Sequence, residues 1–129
     1  MWRVLVHIER FIFMANFQTQ NKGDFAIVTM LVDRLDGQTT PELRSELVLL
    51  AGNQVSRMIL DLSQCNYCDT TGLSAIMIAH RLCKTGALVL VGVKDEVVAM
   101  LSIQNFEPAL DMVADLNEAQ QHIAHAQAQ

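Results

Sequence analysis

Residues 57–74 read RMILDLSQCNYCDTTGLS, and the fold turns on how this stretch divides. Met58, Ile59, Leu60 and Leu62 form a short apolar run of the kind found in strands buried on both faces. At Cys68-Asp69-Thr70-Thr71-Gly72-Leu73 the strand pattern stops and helical spacing begins. A carboxylate at position 69 can accept from the N–H groups two and three residues on, so Asp69 is expected to cap a helix. Thr70 then takes the first helical position with its hydroxyl near the surface. A phosphate there would meet open N–H groups and the positive end of the helix dipole. A strand leading into a polar turn at a helix start is where α/β proteins place functional groups. The turn reads as a switch and not as a catalytic centre, with a capped helix start carrying two polar threonines as the alternative that the local pattern leaves open.

Upstream of this stretch the pattern is regular from Asn16. Residues 17–19 and 25–31 read as two strands joined by the turn signal Asn21-Lys22-Gly23-Asp24. Two threonines precede the first helix. Thr40 as cap would put Pro41 at the first helical position, and Thr39 as cap would put Glu42 in a capping box. Leu43, Leu47 and Leu50 make its apolar stripe, with Gly52 as a plausible stop.

Downstream, a helix is expected over residues 70–85, with Leu73, Ile76, Met77 and His80 on one face and Gly86 at its end. Residues 87–91 are a second apolar strand. Val97, Val98 and Leu101 mark a third helix that should end before Pro108. Residues 111–114 are a short last strand, and Asp115 with Glu118 forms a capping box for a final helix. The order is β-β-α-β-α-β-α-β-α. This implies an α/β fold with a mixed, mainly parallel sheet of four to five strands and about four helices. Only the first strand, joined by the hairpin, is expected to be antiparallel. The core should contain Ile59, Leu60, Leu73, Ile76, Leu88 and Leu90.

The chain is 129 residues long, enough for one domain with a real core. It is 51% hydrophobic and 18% charged, which excludes a disordered chain. A net charge of −5 without a basic cluster argues against nucleic acid or an anionic membrane as partner. No apolar run approaches the ~20 residues of a membrane helix, so no direct membrane insertion is expected. Residues 1–13 are apolar but interrupted by Arg3, His7, Glu9 and Arg10, which argues against a signal peptide. They match no later element. They read as an N-terminal extension, with Met14 a candidate start and the domain spanning residues 14–126. Three cysteines, an odd number, point to a reducing, cytoplasmic setting.

Three chemical readings compete with the switch. Cys65-Asn66-Tyr67-Cys68 has the spacing of a redox pair or a metal half-site. However, both cysteines precede the helix start, and no second CxxC or His pair follows. They read as two small apolar side chains in or beside the core. Asp-Thr-Gly marks aspartic proteases, but here the string is Asp-Thr-Thr-Gly opening a helix in a chain with helical patterning across about half its length. His80 reads as a helix-face residue, no nucleophile–base pair stands out, and neither GxGxxG nor GxxxxGK[ST] occurs. A non-enzymatic chain without metal or cofactor is expected.

The strand-turn-helix DLSQCNYCDTTGLSAI resembles the signature of the STAS domain, found in sulfate transporters and anti-sigma factor antagonists. Asp61-Leu62, Tyr67-Cys68 and Asp69-Thr70-Thr71-Gly72-Leu73 fall in register with it. Family members carry Leu-x-Gly-x-Leu-Asp before a Thr-Ala helix start. Here Leu31-Val32-Asp33-Arg34-Leu35-Asp36 precedes Thr39-Thr40, with Asp33 at the glycine position.

The resemblance implies a phosphorylation-switched antagonist that binds an anti-sigma factor serine/threonine kinase and so frees a sigma factor. The kinase would modify Thr70, at a position where serine is usual, and a phosphatase would reset the switch. Asp36, Asp69, Thr70, Thr71, Gly72 and Leu73 would form the partner-binding site. ATP would belong to the kinase. The alternative keeps the fold and makes the chain a regulatory subunit of a membrane transporter for lipids or anions.

Overall fold

The apolar run at residues 57–62 forms the strand β5 at the centre of the sheet. The computed structural model describes residues 10–13, 16–23, 25–83, 87–103 and 110–128. The strands are β1 (Arg10–Phe13), β2 (Phe17–Asn21), β3 (Phe25–Met30), β4 (Arg34–Leu35), β5 (Arg57–Asp61), β6 (Tyr67–Cys68), β7 (Leu88–Val91) and β8 (Asp111–Val113). The described helices are α1 (Thr40–Gly52), α2 (Thr70–Leu82), α3 (Asp95–Ile103) and α4 (Leu116–Ala128).

Six strands form one sheet in the order β1-β2-β3-β5-β7-β8. Beyond β3 all pairings are parallel, with Ile27 opposite Ile59 and Ile59 opposite Val89. The β2–β3 hairpin is antiparallel, as its turn chemistry requires. The Asn21 side chain accepts from the Gly23 N–H at 2.8 Å, and Gly23 takes a positive φ of 99°. The sheet has one antiparallel strand more than the sequence reading counted, because β1 pairs with the outer edge of β2. Residues 1–9, Met14, Asp24, Gly86 and Pro108 lie outside the described residues.

Period-two alternation divides the strands between two cores. Val28, Met58, Leu60, Leu88 and Leu90 face one side, where Leu43 and Leu47 of α1, Leu73 and Ile76 of α2, and Val97 and Leu101 of α3 cover them. Ile27, Ile59, Val89 and Val91 face the other side, under Ala119 and Ile123 of α4. Both faces are therefore buried, which is why these strands read as unbroken apolar runs. All six expected core residues are at most 3% exposed. Burial of each such aliphatic side chain stabilises the fold by about 1.5–3 kcal/mol relative to exposure.

Four helix details differ from the sequence reading. The buried face of α2 is Gly72, Leu73, Ala75, Ile76 and Ala79, whereas Met77 is exposed. The helix meets its neighbours along small residues, and the stripe is rotated toward them. At the start of α1, Thr39 takes the cap position, yet its hydroxyl bonds no helix N–H. It donates instead to the Arg34 carbonyl and accepts from the Asp36 N–H, each at 3.0 Å. At the other end α1 runs through Gly52, and the left-handed residue is Gln54. The Asp115–Glu118 box forms in part. Asp115 accepts from the Glu118 N–H at 2.9 Å, while Glu118 reaches one residue further back, to the Ala114 N–H at 3.0 Å.

Candidate functional site

Asp61 ends β5 and turns the chain. Its carboxylate accepts from the Ser63 N–H at 2.9 Å and the Ser63 hydroxyl at 2.7 Å. Leu62 is fully buried and donates its N–H to the Val91 carbonyl at 2.9 Å. The Lys94 ammonium donates to the Ser63 carbonyl and ties this turn to the loop after β7.

The chain then meets the upstream motif. β4 and β6 form a separate two-stranded parallel sheet, with Arg34 opposite Tyr67 and Leu35 opposite Cys68. The Asp33 carbonyl accepts from Asn66 and Tyr67, at 2.8 and 3.1 Å, and the Leu35 carbonyl accepts from Asp69 at 3.2 Å. Two segments more than thirty residues apart are thereby held as one frame directly before α2.

Asp69 caps α2 as expected. It has extended backbone geometry, and its side chain accepts from the Gly72 N–H at 2.9 Å. Such a cap contributes about 1 kcal/mol. Thr70 follows at the first helical position and is exposed. Among the described residues, no hydrogen bond engages the Thr70 hydroxyl. Thr71 is half-buried, and its carbonyl accepts from the Ser74 hydroxyl at 2.8 Å. Gly72 and Leu73 are buried beneath the turn. A Cβ on Gly72 would overlap the Leu35 carbonyl oxygen and stand 2.8 Å from Cys68 Sγ. Only a glycine lets β4 lie this close to α2.

Asp36 completes the rim of the site. Its carboxylate accepts from the Gln38 and Thr39 N–H groups at 3.0 and 3.2 Å and from Arg34 Nε at 3.1 Å. The Arg34 guanidinium, followed by the Gln38 N–H, holds its carboxyl below the usual range. Of the expected site residues, the structure brings Asp36, Asp69, Thr70 and Thr71 to one rim and places Gly72 and Leu73 under it. The sequence reading gave no role to Arg34, which frames the same rim. A basic residue between Asp33 and Leu35 was the available signal.

Cys65 and Cys68 are free thiols, 1% and 4% exposed. Burial pushes them up to about 11 and about 12, so neither is a reactive thiolate at neutral pH. They pack as small apolar side chains under the turn. Among the described residues no group of three or more His, Cys, Asp or Glu side chains could hold a metal ion. Nor is any helix among them long and apolar enough to cross a membrane.

A family model described as the STAS domain matches residues 16–119. The fold agrees with solved structures at low sequence identity. An anti-sigma-factor antagonist (STAS) domain protein from Planctomyces limnophilus aligns with a TM-score of 0.74 at 13% identity, over 86% of this chain and 99% of that one. The anti-sigma factor antagonist SpoIIAA in its unphosphorylated form aligns at 0.65 and 15% identity, over 88% and 99%. The phosphorylated form of SpoIIAA from Bacillus aligns at 0.65 and 14%, over 83% and 98%. No curated protein matches the chain in sequence. The chain belongs to the STAS domain family.

Proposed function

We propose that this STAS domain is an anti-sigma factor antagonist whose capture of an anti-sigma factor serine/threonine kinase is switched by phosphorylation of Thr70. The observation that supports the reading is the state of Thr70. It is an exposed hydroxyl at the first position of a capped helix, without a hydrogen bond among the described residues. A frame of backbone hydrogen bonds fixes it in place. The same fold carries anti-sigma factor antagonists, one of them solved in both unphosphorylated and phosphorylated forms.

The γ-phosphoryl group of ATP would pass from the kinase's nucleotide to the Thr70 oxygen. The hydroxyl proton would go to a base of the kinase, and ADP would leave. The product gains about −1.5 to −2 charges at pH 7. Within the fold, the helix start accepts that charge with a gain of roughly 0.3–1 kcal/mol. A partner surface fitted to a neutral hydroxyl would have to bury a dianion beside Asp36 and Asp69 with no group of its own placed to meet it, which costs more than the dipole returns. The fold survives and the interface fails. Unmodified protein then holds the kinase and frees the sigma factor, until a phosphatase is needed to reset the phosphorylated form.

Asp36, Asp69, Thr70 and Thr71 form the contact surface in this reading, with Gly72 and Leu73 shaping it from below. Calorimetry of unmodified and phosphorylated protein against a purified anti-sigma factor kinase tests it. Equal affinities, or a phosphate confined to Thr71 or Ser74, would overturn it.

A further inference from the structure

The small parallel sheet carries one charged side chain, Arg34, on the rim that holds Thr70. Its guanidinium lies 4.5 Å from the centroid of the Tyr67 ring and donates Nε to Asp36 at 3.1 Å. Asp36 does not depend on that bond for its position, since two backbone N–H groups already hold its carboxylate. The Arg34 side chain is 56% exposed, and a guanidinium carries five N–H donors, of which Asp36 takes one. Among the described residues no hydrogen bond engages the others, which leaves them open to a second anion.

The pairing sets which groups share the rim with Arg34. β4 and β6 are parallel, with Arg34 opposite Tyr67 and Leu35 opposite Cys68. The step from Arg34 to Asp36 therefore runs the same way as the step from Tyr67 to Asp69, toward Thr70. The chain bends after Leu35, and Arg34 Nε meets the Asp36 carboxylate at 3.1 Å there, at the end of β4 whose Leu35 carbonyl accepts from the Asp69 N–H. The Tyr67 ring supports its flat face and limits the orientations it explores. Three acids lie along the same edge: Asp33 and Asp36 on the β4 segment, and Asp69 at the cap. A phosphate placed among them without a cation would be opposed by each.

We propose that Arg34 is the internal receptor for a phosphate on Thr70, which it binds through the planar fork left open beside Asp36. The inference rests on Thr70 being the modified residue. Phosphorylation then alters the rim twice. The hydroxyl becomes a dianion, and the open edge of the guanidinium turns from solvent to that dianion, so a partner that reads Arg34 loses it in the same event.

The test uses protein with phosphothreonine built in at position 70 during synthesis, so no kinase is required, followed by phosphorus NMR across pH. An ordinary phosphothreonine titrates near about 6. With Arg34 present, the midpoint should lie about half to one pH unit below that of Arg34→Ala, because the guanidinium favours the dianion. Arg34→Lys should recover part of the difference, with the charge but not the fork. Salt at 1 M should narrow it. The Arg34 Nε–H resonance should also move between unmodified and phosphorylated protein. Equal midpoints in all three proteins, with circular dichroism showing each folded, would overturn the proposal. Failure of a kinase to modify Thr70 would count against the antagonist reading and leave this titration as it stands.

Discussion

The Leu35 carbonyl oxygen occupies the place where a Cβ on Gly72 would stand. That contact joins the upstream motif to the helix bearing Thr70. Gly72→Ala must push β4 away from α2 and also displace Cys68 Sγ, which lies 2.8 Å from the same position. The expected cost is about 1–3 kcal/mol, a fall in melting temperature of about 3–10 °C. Gly37→Ala is the control, because a Cβ there meets nothing within 4 Å. Thermal melts of the two variants should separate clearly; equal melts would mean that β4 gives way freely.

Asp69→Ala removes the side-chain acceptor of the Gly72 N–H. It should lower stability by about 0.5–2 kcal/mol, and Asp69→Asn should lose much less, since asparagine caps nearly as well. Urea unfolding of the three proteins reads the order directly.

Thr70→Ala and Thr70→Asp should both fold with stability within about 0.5 kcal/mol of the parent, because the side chain is exposed. Their binding to an anti-sigma factor kinase should diverge. The alanine form binds and escapes phosphorylation, whereas the aspartate form binds about tenfold or more weakly, as an imperfect mimic. Calorimetry together with phosphate incorporation from labelled ATP separates these outcomes.

Burial raises Cys65 to about 11 and Cys68 and Cys83 to about 12, from an ordinary value of 9.0. In the unfolded chain the thiols lose their protons first. Between about pH 9 and 11 the native state therefore binds more protons than the unfolded state, and stability falls as pH rises. The limiting slope is about 1.4 kcal/mol per pH unit for each thiol. Denaturant unfolding at pH 8 and pH 10 checks the sign. At neutral pH, labelling of Cys65 and Cys68 by a thiol reagent should keep pace with unfolding, not with reagent concentration.

We propose that residues 1–13 contribute little to the domain. Their last four residues pair with the edge of β2, at the opposite end of the sheet from β8, and β2 keeps its pairing with β3 without them. Deletion should lower the melting temperature by less than about 8 °C, equivalent to ~2 kcal/mol in a domain of this size. Kinase binding should not change. A larger loss would assign this segment to the core.

Local chemistry made several features legible in the chain itself. Residues 58–60 and 88–91 are apolar without alternation, which is the mark of strands covered on both faces. Asp69 precedes a helical stripe by the spacing a cap requires, and that placed Thr70 at the first helical position. Each of these depends on neighbours a few residues away.

Other features depended on residues distant in the chain. The sheet of Arg34–Leu35 with Tyr67–Cys68 is too short to leave a periodicity, and its hydrogen bonds join segments more than thirty residues apart. The orientation of α2, with Ala79 buried and Met77 exposed, follows from how closely its small residues let it approach its neighbours. Thr39 looked like a helix cap, but its hydroxyl was drawn to the Arg34 carbonyl once β4 had taken its place. Arg34 came to the rim for the same reason. Its ring partner is 33 positions along the chain, and only backbone pairing brings the two together.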